Sequence, residues 1–248
     1  ANYNHKGAGK LPASWSVYSI WQYSSSGPFV GDSNVWNGSA AGLTALARNG
    51  VEPGPFKDVP AAAQFATEIS WLKSKGITTG YPNGTYAPLA PVNRDAMAAF
   101  LYRLAGSPKF TPPKKSPFQD VSTSNQFYKE ISWLAATGIS TGYPDGSFRP
   151  LAPVKRDAMA AFMNRFAGEQ CSIEGAMGYQ APGTASFTDV PADNQFHKEI
   201  SWMKDSGVST GYPDASFHPY ENVSREAMAA FIHRLDTYTN ENGGCNSF

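Results

Sequence analysis

Residues 56–106 read FKDVPAAAQFATEISWLKSKGITTGYPNGTYAPLAPVNRDAMAAFLYRLAG, and the pattern returns twice. Residues 118–168 read FQDVSTSNQFYKEISWLAATGISTGYPDGSFRPLAPVKRDAMAAFMNRFAG, and from Phe187 the chain reads FTDVPADNQFHKEISWMKDSGVSTGYPDASFHPYENVSREAMAAFIHRLD. The copies start 62 and then 69 residues apart, yet the steps from Asp58 to Arg94, Asp120 to Arg156 and Asp189 to Arg225 are all 36 residues. Insertions therefore fall between copies, so each copy is one structural unit of a repeat architecture.

Within a copy the apolar spacing is helical at both ends. Phe65, Ile69 and Leu72 lie on one stripe at i, i+4 and i+7, predicting a first amphipathic helix that Gly76 ends. A second helix is expected over residues 94–104, with Met97, Phe100, Leu101 and Leu104 on one face and alanines on the others. A helix apolar nearly all round is normally buried. Three of them are expected to form a central bundle with the first helices outside. Burying about four large side chains per copy, at roughly 1.5–3 kcal/mol each, favours stacking of neighbours. Between the helices, Pro82-Asn83-Gly84 and its counterparts have turn chemistry. Copy three carries Ala215 at the glycine position, which costs about 1 kcal/mol if that residue is left-handed.

Composition removes several function classes. Twenty basic side chains balance twenty acidic ones without a like-charge block, which argues against nucleic acid as the partner. No apolar run approaches the roughly 18–20 residues that span a bilayer, so membrane insertion is not expected. The two cysteines and the scattered His5, His197, His218 and His233 lack metal-site spacing. No nucleophile-elbow, zincin or P-loop motif is present, and no cofactor is implied. The opening ANYNHKGAGK does not read as a signal peptide. A mature form and a piece of a longer protein both stay open.

The order F-x-D-V, I-x-W-L, G-[IV]-x-T-G-Y-P-[ND]-[GA]-x-[FY] and [NKS]-R-[DE]-A-M-A-A-F resembles the S-layer homology family over residues 56–236. The resemblance implies a mainly α fold: three tandem helix-loop-helix repeats forming a pseudo-threefold prism, with ligand grooves between neighbours. It also implies a monomer at the bacterial cell wall, attached non-covalently to anionic secondary cell-wall polysaccharide, often through a pyruvylated sugar. The family's helix start resembles Thr-Arg-Ala-Glu. Here it reads Asn93-Arg94-Asp95-Ala96, with Lys155 or Ser224 at the first position of the other copies, so the capping box is lost.

Several recurrent residues are candidates for the glycan site. Arg94, Arg156 and Arg225 fall at a helix start, where the macrodipole disfavours a cation by roughly 0.3–1 kcal/mol. A guanidinium beside free helix N–H groups suits a carboxylate or phosphate. The structural alternative pairs each arginine with Asp95, Asp157 or Glu226, or with Asp58, Asp120 or Asp189. Trp71, Trp133 and Trp202 lie roughly 100–140° from the apolar stripe, placed either to floor a sugar groove or to fill the joint between repeats. Tyr81, Tyr143 and Tyr212, with Asn83, Asp145 and Asp214, either contact sugar or stabilise the turn. Asp58, Asp120 and Asp189 read as caps or turn formers. Glu68, Glu130 and Glu199 read as salt-bridge partners or a solvated face rather than a catalytic pair.

The first fifty residues differ in character. WSVYSIWQYSSSG reads as a strand and polar turn, and AAGLTALARNG as a short helix, a small α/β fragment. The string WQYSSSGPFVGDSNVWNGSAAGLTALA resembles the C-terminal end of family-25 glycoside hydrolases, the muramidases. That family's Asp-x-Glu pair lies upstream of the matching stretch, so no catalytic residue is assigned here. The expected organisation is a barrel remnant at 1–50, repeats at 51–106, 118–168 and 187–248 (the last with a tail), and linkers at 107–117 and 169–186. Cys171 in the second linker and Cys245 in the tail both follow the second helix of their repeat, and a disulfide is expected. Three functions follow: a wall anchor, the wall-targeting end of a secreted muramidase, or a structural surface-layer subunit.

Overall fold

The computed structural model describes residues 20–24, 33–36 and 54–245. The chain divides into two compact units, Ala1–Pro53 and Gly54–Phe248. In the first, β1 (Ile20–Ser24) pairs antiparallel with β2 (Ser33–Trp36), in a register that sets Trp21 opposite Val35 and shifts between Gln22 and Ser24. The helix expected near residues 40–50 lies outside the described residues.

The second unit is helical. Its elements are α1 (Ala66–Ser74), α2 (Arg94–Leu104), α3 (Tyr128–Ala136), α4 (Arg156–Arg165), α5 (Glu174–Met177), α6 (His197–Asp205) and α7 (Arg225–Glu241), with a π-helical turn at Phe166–Gln170 after α4. Each repeat supplies a short first helix (α1, α3, α6) and a longer second one (α2, α4, α7). Gly76 ends α1 with φ 68°: its N–H donates to Lys73 O, and the Ile77 N–H donates to Leu72 O. Ile69 and Leu72 are fully buried, as are Met97, Ala98 and Leu101 of α2. The stripe starts differently from its spacing: Phe65 precedes α1 as a left-handed N-cap with φ 61°.

The F-x-D motif clamps the loop between the helices. Asp58 accepts from the backbone N–H of Tyr86 and of Ala87, both at 2.7 Å, while the Phe56 ring stacks on Tyr86 at 5.3 Å. Asp120 holds residues 148 and 149, and Asp189 holds 217 and 218, at the same distance. These aspartates are thus turn formers. The clamp explains the glycine of T-G-Y-P: Gly80 has φ +67°, and a Cβ there would collide with the Phe56 ring. At the turn itself Ala215 is left-handed, φ 61°, where Gly84 and Gly146 have φ 83° and 77°.

The repeats join head to tail and then close. Each first helix packs on the second helix of the preceding repeat: α3 on α2, α6 on α4, and α1 on α7. The backbone repeats the circuit. Val154 N–H donates to Val92 O at 2.8 Å, Val223 N–H to Val154 O at 2.9 Å, and Val92 N–H to Val223 O at 2.9 Å. The three second helices start from this triangle of hydrogen bonds. The linker before repeat three is itself folded, and Cys171 in it is disulfide-bonded to Cys245, 74 residues on.

Candidate functional site

The same circuit positions the arginines. The first N–H of each second helix bonds to the next repeat: Arg94 to Ala152 O, Arg156 to Glu221 O and Arg225 to Ala90 O. The second does likewise, Asp95 to Pro150 O, Asp157 to Pro219 O and Glu226 to Pro88 O. Asp95 and Asp157 then accept the following N–H at 2.6 Å, and in α7 Ser224 Oγ accepts from Ala227 N–H. No free helix N–H therefore stands beside the guanidinium, which corrects the expectation of an anion site built on the helix end. The neighbouring repeat's carbonyls have already satisfied those donors.

What is left is the guanidinium. Arg94, Arg156 and Arg225 are only 5–8 % exposed. Each reaches across the joint, its Nε donating at 2.6 Å to a loop carbonyl of the next repeat: Phe148 for Arg94, Phe217 for Arg156, Tyr86 for Arg225. Each lies over that loop's tyrosine, at 4.9 Å from Tyr143, 5.0 Å from Tyr212 and 5.0 Å from Tyr81. Among the described residues no carboxylate comes within ion-pair distance of these arginines; Arg149 pairs with Asp145, and His218 Nδ1 lies 3.0 Å from Glu221. The pairings with Asp95, Asp157, Glu226 or the F-x-D aspartates are thus not formed. Burial lowers the pKa of Arg94 and Arg156, as expected of cations that have lost water and gained no counter-ion.

Clefts open at the joints of Arg94 and Arg156. Arg94 enters one of about 680 Å³, walled by residues 140–144 and by Phe162 and Arg165 of α4, with Tyr220 and Asn222 of repeat three on the far side. Arg156 enters one of about 450 Å³, walled by residues 209–213 and by Phe231 and Arg234 of α7, with Gln64 and Phe65 of repeat one opposite. Each cleft therefore takes side chains from all three repeats.

The other candidates separate. Tyr81 and Tyr212 are exposed and Tyr143 half-exposed at the arginines. Trp133 and Trp202 are 3 % and 1 % exposed, set edge-on against Tyr102 and Tyr238. They offer no face to a sugar: Trp133 fills the joint with repeat one, and Trp202 packs on Tyr238 of its own repeat. Trp71 is half-buried, edge-on to His233 of α7. Asn83, Asp145 and Asp214 each turn Oδ1 back on their own loop, accepting the N–H and hydroxyl of residue 85, 147 or 216. They shape the turn beside the tyrosine. Among the described residues no cluster of metal-ligating side chains is present, and no helix is long and apolar enough to cross a membrane.

This geometry recurs three times, and so does the match to a known family. The S-layer homology domain model matches residues 55–98, 117–160 and 186–229. The chain belongs to the S-layer homology family. Among curated proteins, a cellulosome-anchoring protein of Acetivibrio thermocellus is 30 % identical over 184 residues, covering 73 % of this chain and 36 % of that protein. An endoglucanase of a Bacillus species is 28 % identical over 181 residues, 73 % of this chain and 18 % of that protein. An S-layer protein of Bacillus licheniformis is 24 % identical over 181 residues, 73 % of this chain and 20 % of that protein. The chain thus spans about a third or less of the length of these S-layer homology relatives. With such relatives, the chain is a bacterial cell-surface protein.

Sequence reasoning missed which repeat each arginine serves. Arg94 and its carbonyl partner are 54 residues apart, and nothing local announces a contact across a joint. It also passed over Tyr220 and Asn222, and took Lys155 only as a change at the helix start, although each departs from its counterparts, and that departure was the available signal.

Proposed function

We propose that the repeats fasten a bacterial surface protein non-covalently to an anionic cell-wall polysaccharide, with Arg94, Arg156 and Arg225 as the groups that take its charge. The observation that carries this reading is a buried guanidinium without a counter-ion, found three times over. A desolvated charge costs several kcal/mol unless it is paired, and within the described residues each of these guanidinium groups donates only through Nε, to a loop carbonyl. A ketal carboxylate on a pyruvylated sugar, or a phosphate, supplies the missing partner. Tyr81, Tyr143 and Tyr212 present ring faces and hydroxyls beside it. In the same proposal the repeats form a pseudo-threefold prism, the chain works as a monomer without catalysis of its own, and residues 1–50 are the end of a muramidase-like barrel.

Co-sedimentation with purified bacterial walls tests the proposal. The wild-type chain is expected in the pellet, and a chain carrying Arg94→Ala, Arg156→Ala and Arg225→Ala in the supernatant with an unaltered circular-dichroism spectrum. Lysine at the three positions restores binding only in part, because an ammonium keeps the charge and loses the fork. Walls stripped of pyruvyl ketals by mild acid separate the two anions. A triple-alanine chain that binds walls with wild-type affinity refutes the role of the arginines.

A further inference from the structure

The clefts are not copies of one another. In the cleft under Arg94 the far wall is Tyr220 and Asn222, where the other repeats have Leu89 with Pro91 and Leu151 with Pro153. Tyr220 is 67 % exposed, and the Lys155 ammonium stands 5.8 Å from its ring centre. Lys155 is itself a departure, its counterparts being Asn93 and Ser224. A further cation stands at the near wall. The Arg149 guanidinium lies 3.9 Å over Tyr143, the ring that Arg94 approaches at 4.9 Å, where the other copies have Ala87 and His218. The backbone here is left-handed in all three copies, φ 55° at Ala87, 57° at Arg149 and 56° at His218, so only the side chain departs.

These departures come from two different repeats, two of them from repeat two and two from repeat three, and the ring brings all four to one cleft. Together they add an exposed aromatic platform, an amide and two cations. Arg94, Lys155 and Arg165 stand there against Asp157, beside an Arg149 already paired with Asp145, whereas the cleft under Arg156 has Arg156 and Arg234 against Glu226. An exposed ring with an ammonium near it suits the apolar face of a pyranose that carries an acidic substituent. Resting on the wall-binding reading above, we infer that the cleft under Arg94 is a two-part site. A first glycan unit is held at Arg94 and Tyr143. A second, also anionic, lies on Tyr220 with Lys155 as its counter-ion and Asn222 as partner to its hydroxyls.

The test is isothermal titration of the full chain with a monosaccharide and a disaccharide released from purified wall polysaccharide, each keeping its acidic substituents. The chain is compared with a Tyr220→Leu, Lys155→Asn double variant. Both new residues are those of sister repeats, so the backbone accommodates them. The wild-type chain is expected to favour the disaccharide, and the double variant to lose about fivefold of that preference, the size of two exposed contacts. A preference equal in the two proteins, or absent from the wild type, overturns the two-part site. Monosaccharide binding that survives Arg94→Ala, Arg156→Ala and Arg225→Ala overturns the wall-binding reading instead.

Discussion

Arg225 and Tyr86, 139 residues apart, hold each other through two hydrogen bonds: Arg225 Nε donates to Tyr86 O at 2.6 Å, and the Tyr86 hydroxyl donates to Arg225 O at 2.8 Å. The other two joints have only the first of these bonds, because Phe148 and Phe217 lack the hydroxyl. The extra bond falls where repeat three meets repeat one, the only joint of the ring that no linker spans. Tyr86 is fully buried, and burial holds its hydroxyl proton on far above the ordinary range. Tyr86→Phe is therefore expected to cost about 0.5–1.5 kcal/mol in urea unfolding. It should also speed amide exchange at Val92 and Arg225 more than at Val154. Equal exchange at all three would show that the hydroxyl does not hold the ring shut.

A second prediction concerns the tryptophans. Trp202 is buried against Tyr238 and Trp133 against Tyr102, so truncation leaves a cavity in each case. Trp202→Ala is expected to cost about 3–5 kcal/mol of stability. Trp71→Ala, at a half-buried site beside His233, should cost clearly less. Denaturant midpoints measured on both variants check the order, and a reversed order would return the tryptophans to a surface role.

How far the sequence announced this structure follows from the range of each interaction. The second helix was legible because Met97, Phe100, Leu101 and Leu104 repeat at helical spacing, and helix burial depends on that local pattern alone. The disulfide was legible because both cysteines follow the second helix of their repeat. The emptiness of the helix N-terminus was misread. Whether Arg94 N–H and Asp95 N–H are free depends on Ala152 and Pro150, which belong to another repeat. Trp71 and Trp133 share a sequence position yet differ in burial, their partners across the joints being His233 and Tyr102, while Trp202 meets Tyr238 of its own repeat. Repetition conceals such differences: the copies look alike along the chain and meet unlike neighbours around the ring.

Acid should test the loop clamps. Asp58 is lowered: burial pushes its pKa up, and the N–H groups of Tyr86 and Ala87 together outweigh that. The Ser147 hydroxyl and N–H, then Arg149, bring Asp145 to about 2. A carboxyl lowered in the folded state adds stability that is present above its unfolded value and lost as pH falls through the folded one. For Asp145 the window therefore runs from about 4 down to about 2. Asp95 and Asp157 work against this, since burial raises them and acid relieves them. Thermal melting of Asp145→Asn should show a shallower fall between pH 4 and 2 than the wild type. Parallel curves would mean that the turn does not depend on the charge of Asp145.

The disulfide provides the last prediction. Cys171 sits in the folded linker after α4, and Cys245 follows α7, so the bond encloses all of repeat three. Cross-linking a loop of that length restricts the unfolded chain, and the stabilisation expected from loop entropy is about 4 kcal/mol, an upper figure because unfolded chains retain some structure. Thiol titration of the native, unreduced protein should find no free thiol. Reduction, or Cys171→Ser with Cys245→Ser, should lower the melting temperature without unfolding the chain at 25 °C, because the valine triangle and the Arg225–Tyr86 pair still close the ring. The loss should appear mainly as faster exchange in α5 and the end of α7, which the bond ties together, and less in α2. Two free thiols in the native protein, or a melting temperature indifferent to reduction, would show that the repeats hold together without this cross-link.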